Sequence, residues 1–150
     1  MEIRIFERGD FPEYRSWYQD EVLSGALGPM DDEWLEAVLA ESPPAQYSCW
    51  VDGELGAVVG IARGGAQDAR WVVTDVAVRP DLRGRGLGRL ALEGIFRIEG
   101  AERREWVAFV QAQNQGANQF FTTLGWRRSG PDESGLWVFE RPKDRSSSGS

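Results

Sequence analysis

The residues best suited to binding a charged ligand lie between Val76 and Arg89. This segment reads Val-Ala-Val-Arg-Pro-Asp-Leu-Arg-Gly-Arg-Gly-Leu-Gly-Arg, so an apolar run is followed by three spaced glycines and then by a helical pattern. Glycines let the backbone approach a ligand closely, and the N–H groups at a helix N-terminus attract negative charge. Arg83, Arg85 and Arg89 add positive charge. The segment predicts a loop that binds a diphosphate, although a glycine-rich turn taken alone is more often a plain surface turn.

Two other phosphate-binding motifs do not fit this loop. A P-loop requires Gly-Lys followed by Ser or Thr, which the sequence lacks. The dinucleotide fingerprint fails from Gly84, because Arg89 takes its third glycine place. Counted from Gly86, the third glycine place falls on Ala91, and the fingerprint tolerates alanine there. The fingerprint also requires an acidic residue at the end of the next strand, but Gln111 stands at that point.

The composition of the chain argues against several classes of protein. A net charge of −7 leaves no basic surface for a nucleic acid. Cys49 is the only cysteine and histidine is absent, so an internal disulfide, a zinc site and a Ser-His-Asp or Cys-His mechanism are not expected. Neither an export signal nor a membrane-spanning stretch is visible, so we expect no membrane partner and a cytoplasmic location.

Apolar periodicity predicts the elements that position the loop. Ile3 and Ile5 indicate a half-buried first strand. Further strands are predicted over residues 46–51, 55–62, 71–78 and 106–110, with a last hairpin from Trp126 to Phe139. Helices are predicted over 11–22, from Asp31 or Asp32 to 39, over 87–98 and over 114–124. Residues 1–141 form one predicted domain, and the Ser-rich residues 142–150 are a predicted disordered tail.

Two segments resemble the GNAT superfamily of N-acetyltransferases. Arg83, Gly86 and Gly88 occupy the fixed places of its Arg-x-x-Gly-x-Gly loop, after a Val-Ala-Val strand end. A later segment is similar to the signature Asn-x-x-Ala-x-x-Phe-Tyr-x-x-x-Gly-Phe of the same family. Its matching residues are Asn114, Ala117, Phe120, Phe121, Gly125 and Trp126. The two matches cover roughly residues 71–128.

The resemblance implies a mixed α/β (α+β) fold. A central, mostly antiparallel sheet of six to seven strands would be flanked by about four helices. Two neighbouring parallel strands, here 74–78 and 106–110, would splay apart to form a cleft for acetyl-CoA or another acyl-CoA, without a metal. The residues implied to contact this cosubstrate are Val76, Ala77, Val78, Arg83, Gly84, Arg85, Gly86, Leu87, Gly88, Arg89, Asn114, Ala117 and Phe121.

The acid and base of the implied reaction are less evident. Phe121 stands where many relatives have a tyrosine that protonates the leaving thiolate, and Phe109 stands where some ribosomal-protein acetyltransferases have a glutamate base. We predict Asp75 as the catalytic base, with Thr74 on the opposite face of the same strand. The alternative for Asp75 is a buried carboxylate satisfied by backbone or by arginine. Glu133 is a weaker candidate.

The resemblance leaves the acceptor open. The N-terminal helices carry many acidic residues that suit either a cationic amine or solvent, namely Asp20, Glu21, Asp31, Asp32, Glu33 and Glu36. Trp17, Trp34 and Trp126 fit an acceptor pocket or the core. We expect an N-acetyltransferase acting on a small primary amine. The alternatives are a protein N-terminus or lysine as acceptor, a CoA-binding sensor without catalysis, and an interaction module. A homodimer through an edge strand or a helix is also compatible with the sequence.

Overall fold

The structure is a computed structural model that describes residues 1–20 and 30–142. One seven-stranded sheet has the order β1-β2-β3-β4-β5-β7-β6. Its strands are β1 (Glu2–Ile5), β2 (Gln46–Val51), β3 (Glu54–Ala62), β4 (Trp71–Val78), β5 (Trp106–Gln111), β6 (Arg127–Ser129) and β7 (Leu136–Glu140). Only the β4–β5 pair is parallel. The described α-helices are α1 (Phe11–Ser16), α2 (Asp32–Ala40), α3 (Leu87–Ile98) and α4 (Gln115–Thr123).

This architecture confirms the predicted fold class, with β4 at the centre of the sheet. Local signals explain several boundaries. Asp31 caps α2 by accepting a hydrogen bond from the Trp34 N–H at 3.0 Å. Asp52 and Gly53 both have positive φ, 52° and 79°, which is the backbone conformation of a two-residue hairpin turn.

Apolar side chains cover both faces of the sheet. Beneath α3 and α4 the core contains Leu92, Ile95, Trp106 and Phe139, all almost fully buried. The opposite face packs against α1 and α2. That second core contains Phe6, Phe11, Tyr14, Trp17, Leu35, Leu55, Val58 and Ala77. The nearly continuous apolar run of β4 predicts a strand that is covered on both faces, and the two cores cover β4 in this way.

Two details of the predicted elements were wrong. Ile5 is exposed rather than buried, because β1 is an edge strand and only Ile3 packs against the core beneath α3. The first helix ends at Ser16 and continues as a single 3-10 turn, Trp17–Gln19. The expected continuation to Val22, the acidic Glu21 and all but the first residue of the predicted tail lie outside the described residues. Within the described ranges, no helix is long and apolar enough to cross a membrane.

Candidate active site

A cleft opens where the two parallel strands separate. β4 and β5 are paired only at Trp71–Trp106 and Val72–Val107. Beyond these positions β5 continues its pairing with β7 and not with β4, and a cavity of about 500 Å³ lies between the two parallel strands. Its walls include Val76 and Val78 of β4, Ala108 and Val110 of β5, and Phe120 of α4. The cavity walls are mostly apolar, and beyond Val72 the main chain of β4 is not paired with β5.

The glycine-rich loop follows the end of β4, and Arg83 is the loop residue among those lining the cavity. Gly84 and Gly86 have φ values of 79° and 78°, which side chains other than glycine adopt only with strain. Gly86 is the N-cap residue of α3, so the unpaired N–H groups of the first helical turn lie directly after it. Gly88 is buried, and a Cβ there would lie 2.7 Å from the ring of Phe120. The third glycine therefore lets α3 pack closely against α4 beside the cleft.

The three arginines of the loop lie in different surroundings. Arg83 borders the cleft, and its guanidinium is 2.9 Å from the carboxylate of Asp20 at the end of the first helical segment. Arg89 pairs with Glu93 at 3.1 Å, one turn along α3, and lines a second cavity of about 530 Å³ together with Phe96 and Trp126. Arg85 is exposed. The loop thus offers main-chain N–H groups to an anion, while two of its guanidinium groups already contact carboxylates.

The second signature segment forms the far wall of the cleft. Asn114 is the N-cap residue of α4, and its Oδ1 accepts the Ala117 N–H at 3.1 Å. Asn114, Ala117 and Phe121 all line the cavity. Ala77 differs from its neighbours because its methyl group is fully buried in the core beneath α1 and α2. Only the main chain of Ala77 can contribute to the cleft, and its role stays a prediction.

A β-bulge in β4 brings polar groups together at the middle of the sheet. Ile61 is opposite Val73 but Gly60 is opposite Asp75, so β4 has one extra residue, Thr74. The prediction that Thr74 and Asp75 lie on opposite faces was wrong. At the bulge the Thr74 hydroxyl donates to Asp75 Oδ1 at 2.9 Å.

Gln46 completes this cluster from two strands away. Its Nε2 donates to Asp75 Oδ2 at 2.8 Å. Gln46 is opposite Gly60 in the β2–β3 pair, and Gly60 is opposite Asp75 in the β3–β4 pair. The two side chains therefore meet above a residue without a side chain. A Cβ on Gly60 would overlap Asp75 Oδ1 and would lie 2.6 Å from both Gln46 Oε1 and Thr74 Oγ1.

The environment of Asp75 favours its neutral form. Burial raises the pKa of the Asp75 carboxyl, and the hydrogen bonds from Gln46 and Thr74 oppose this shift. Tyr14 and Tyr18 of the first helical segment share a hydrogen bond of 2.7 Å between their hydroxyl groups. Burial, with a smaller contribution from the Asp75 charge, raises the pKa of both phenols. Asp75 lines the cavity, so a carboxyl group with a raised pKa faces the cleft.

The remaining candidates fall into two groups. Phe109 is 38% exposed and lines the cleft, whereas Phe121 is buried against Trp126 and Phe139 at the cavity wall. Neither ring can transfer a proton. Glu133 is exposed and is not among the residues lining the cavity.

The predicted acceptor side is only partly assembled. Trp17 and Trp126 are buried in the core and do not form an aromatic acceptor pocket, whereas Trp34 is half-buried. Of the acidic residues, Asp31 caps α2 and Glu36 pairs with Arg8 at 2.8 Å. Among the residues that the structure describes, no group of three or more acidic, His or Cys side chains could hold a metal ion.

From the sequence we predict Asp75 but not Gln46, Tyr14 or Tyr18, and the catalytic role of Asp75 stays a prediction. One signal was available for Gln46. Gly60 interrupts an otherwise apolar run in β3, and a glycine inside a strand often marks the close approach of another group. For Tyr14 and Tyr18 the spacing along the predicted helix over residues 11–22 indicates only an apolar face.

Comparisons with known proteins agree with this geometry. The model of the acetyltransferase (GNAT) family matches residues 11–126. No curated protein sequence matches the chain significantly. Among crystal structures, an acetyltransferase from Thermus thermophilus has a TM-score of 0.76 at 20% identity, covering 94% of this chain and 96% of that one.

Two further crystal structures share the fold. A GNAT-family acetyltransferase from Streptococcus agalactiae has a TM-score of 0.74 at 14% identity, covering 96% of each chain. The PaiA N-acetyltransferase from Thermoplasma acidophilum, in complex with coenzyme A, has a TM-score of 0.66 at 17% identity, covering 95% of this chain and 98% of that one. At these identities the structural likeness concerns the fold.

Proposed function

Because this chain belongs to the acetyltransferase (GNAT) family, we propose that it transfers an acetyl group from acetyl-CoA to a primary amine of a small molecule. The observation that carries the proposal is the cleft between β4 and β5, with the Gly84–Gly86 loop at its end. A cavity of about 500 Å³ with mostly apolar walls suits the pantetheine arm of acetyl-CoA. A related N-acetyltransferase was crystallised with coenzyme A.

The loop suits the diphosphate for a reason that does not depend on its arginines. Positive φ at Gly84 and Gly86 turns the chain so that α3 begins at the cleft. The N–H groups of its first turn have no partners within the helix and can bind an anion. The open edge of β4 from Val76 to Val78 offers further main-chain donors and acceptors to the amide groups of the arm.

Acetyl-CoA supplies an activated carbonyl carbon and a thiolate leaving group. In the proposed reaction the amine nitrogen forms a bond to that carbon, the C–S bond breaks, and the nitrogen loses a proton. Asp75 is the proposed acceptor of this proton, since it lines the cavity and its pKa is raised toward the pH at which a base is effective. Gln46 and Thr74 hold the carboxylate in one orientation. The thiolate leaves without help from Phe121.

A second candidate function is a protein that binds acyl-CoA without transferring the acyl group. Phe121 and Phe109 favour it, because apolar rings occupy both positions where relatives place an acid or a base. A protein N-terminus or lysine remains an alternative acceptor for an active enzyme.

Thiol release separates these functions. Purified protein with acetyl-CoA is assayed for free coenzyme A across a panel of small amines, polyamines, aminoglycosides and peptides with free N-termini or lysines. We expect turnover with at least one small amine. Binding of acetyl-CoA in calorimetry without turnover on any acceptor would favour the silent protein, and turnover confined to peptides would favour the protein acetyltransferase.

A further inference from the structure

Exposed apolar side chains are concentrated on one side of the described part of the molecule. The described residues include five exposed large hydrophobic side chains, of which Phe109 lines the cleft. The other four are Met1 (49%) and Ile5 (40%) at β1, and Leu90 (51%) and Ile98 (54%) on α3. The helix contacts β1 directly, because a Cβ on Gly94, midway between Leu90 and Ile98, would overlap Ile3. The four side chains therefore border a single surface, the β1 edge.

On this surface the main chain of β1 presents groups that have no strand partner among the described residues. The Phe6 N–H donates to the Gln46 carbonyl at 2.9 Å, and β1 pairs regularly with β2 up to that point. The direction of the main-chain groups alternates along an antiparallel strand. The N–H and C=O groups of Arg4 and Glu2 therefore also face β2, while those of Ile3 and Ile5 point outward. β1 is first in the sheet order, so no described strand lies beyond it.

We propose that the β1 edge is a homodimer interface, in which β1 pairs antiparallel with β1 of a second copy around a two-fold axis at Ile3. In this register Ile3 exchanges two main-chain hydrogen bonds with Ile3 of the second copy. The Ile5 N–H donates to the Met1 carbonyl across the interface, and the symmetric bond forms in the other direction. The sheets of the two copies become continuous.

The charges of β1 select this register. Centred on Ile3, the pairing places Glu2 opposite Arg4 of the second copy twice, and it places Met1 opposite Ile5. Centred on Glu2 or on Arg4, it places two like charges directly opposite each other, which is destabilising. Within one copy Arg4 and Glu2 already form an exposed ion pair at 2.8 Å, so both side chains extend on the same face of the strand. A strand with opposite charges two residues apart is complementary to itself.

A second copy fits this edge better than an unrelated strand. A second copy already carries the charges that complement Glu2 and Arg4, whereas an unrelated strand would need to supply them. The two-fold axis also brings the exposed α3 residues of both copies to the same border. The pairing strand β1 has four residues, so we expect a weak dimer that forms at concentrations of about 100 µM and above.

Sedimentation velocity over a range of concentrations tests the proposal with charge-swapped variants. Arg4→Glu and Glu2→Arg each place like charges opposite one another and should weaken dimerisation about tenfold. The double variant Glu2→Arg/Arg4→Glu restores opposite charges and should restore the dimer. Circular dichroism and acetyl-CoA titration check that all variants fold and bind alike, because β2 and β3 separate β1 from the cleft.

Restoration of the dimer in the double variant would support pairing at Ile3. A wild-type protein that stays monomeric at about 500 µM, or a dimer that neither single variant weakens, would overturn the proposal.

Discussion

Gln46 and Asp75 meet directly above Gly60, with Gln46 Nε2 2.8 Å from Asp75 Oδ2. The two residues lie on β2 and β4, which do not neighbour each other, so their contact requires the strand between them to have no side chain at that point. Thr74, displaced by the β-bulge, supplies the second hydrogen bond to the same carboxylate. This row of residues joins the centre of the sheet to the wall of the cleft.

Replacing Asp75 by Asn tests the proposed base. The amide cannot accept the proton, so we expect kcat/KM to fall about 100-fold or more. The wild-type rate should rise with pH through the pKa of Asp75, which burial raises above the usual range, and the variant should lack this rise. An acceptor amine of known pKa allows the titration of the substrate to be separated from that of the enzyme.

Glu133→Gln is the matched control, because it removes an exposed carboxylate outside the cavity. It should keep both the rate and the pH profile. An Asp75→Asn enzyme with an unchanged profile would remove Asp75 from the mechanism, whatever the state of the cleft.

The same carboxyl group makes folding stability depend on pH. Because the pKa of Asp75 is higher in the folded than in the unfolded protein, the folded protein binds more protons at intermediate pH. The contribution of Asp75 to the free energy of unfolding is therefore most favourable at a pH below the pKa that Asp75 has in the unfolded protein. It declines as the pH rises through the pKa of Asp75 in the folded protein. Urea unfolding should show the stability of Asp75→Asn, relative to wild type, increasing from about pH 3 to pH 8. A constant difference would show that burial does not perturb this group.

Gly60→Ala should disturb the cluster, including Asp75 and Thr74 of the cleft wall, from a position that does not itself line the cavity. The added methyl group overlaps Asp75 Oδ1 and crowds Gln46 and Thr74, so we expect a loss of about 1–3 kcal/mol in unfolding free energy and a lower rate. Gly65→Ala is the control, since nothing lies within 4 Å of a Cβ at that position and its φ is not positive. Equal behaviour of the two variants in denaturation and in turnover would contradict the crowded geometry at Gly60.

Much of the fold was predictable because its signals are local. The Asp52-Gly53 turn, the Asp31 cap and the apolar run of β4 each act through neighbouring residues. The loop from Arg83 to Arg89 was predictable for the same reason, because its glycines are needed for backbone conformation and close packing.

The surroundings of Asp75 were not predictable in this way. A β-bulge depends on the register of two strands, and the single-residue slip between Ile61 and Gly60 reverses the side on which Thr74 lies. The contact with Gln46 spans 29 residues of sequence. The exposure of Ile5 likewise follows from its place at the sheet edge, which the alternating pattern of β1 does not reveal.

Titration calorimetry with acetyl-CoA on paired glycine variants tests the central claim most directly. Gly86 and Gly135 have almost the same φ, 78° and 79°, and neither has atoms within 4 Å of a built Cβ, but only Gly86 begins α3 at the cleft. Replacing either by Ala should cost about 1–2 kcal/mol of stability. We predict that wild type and Gly135→Ala bind acetyl-CoA alike and that Gly86→Ala binds it at least about tenfold more weakly. Unchanged affinity in Gly86→Ala, or no binding by wild type, would contradict the assignment of this loop and cleft to acetyl-CoA.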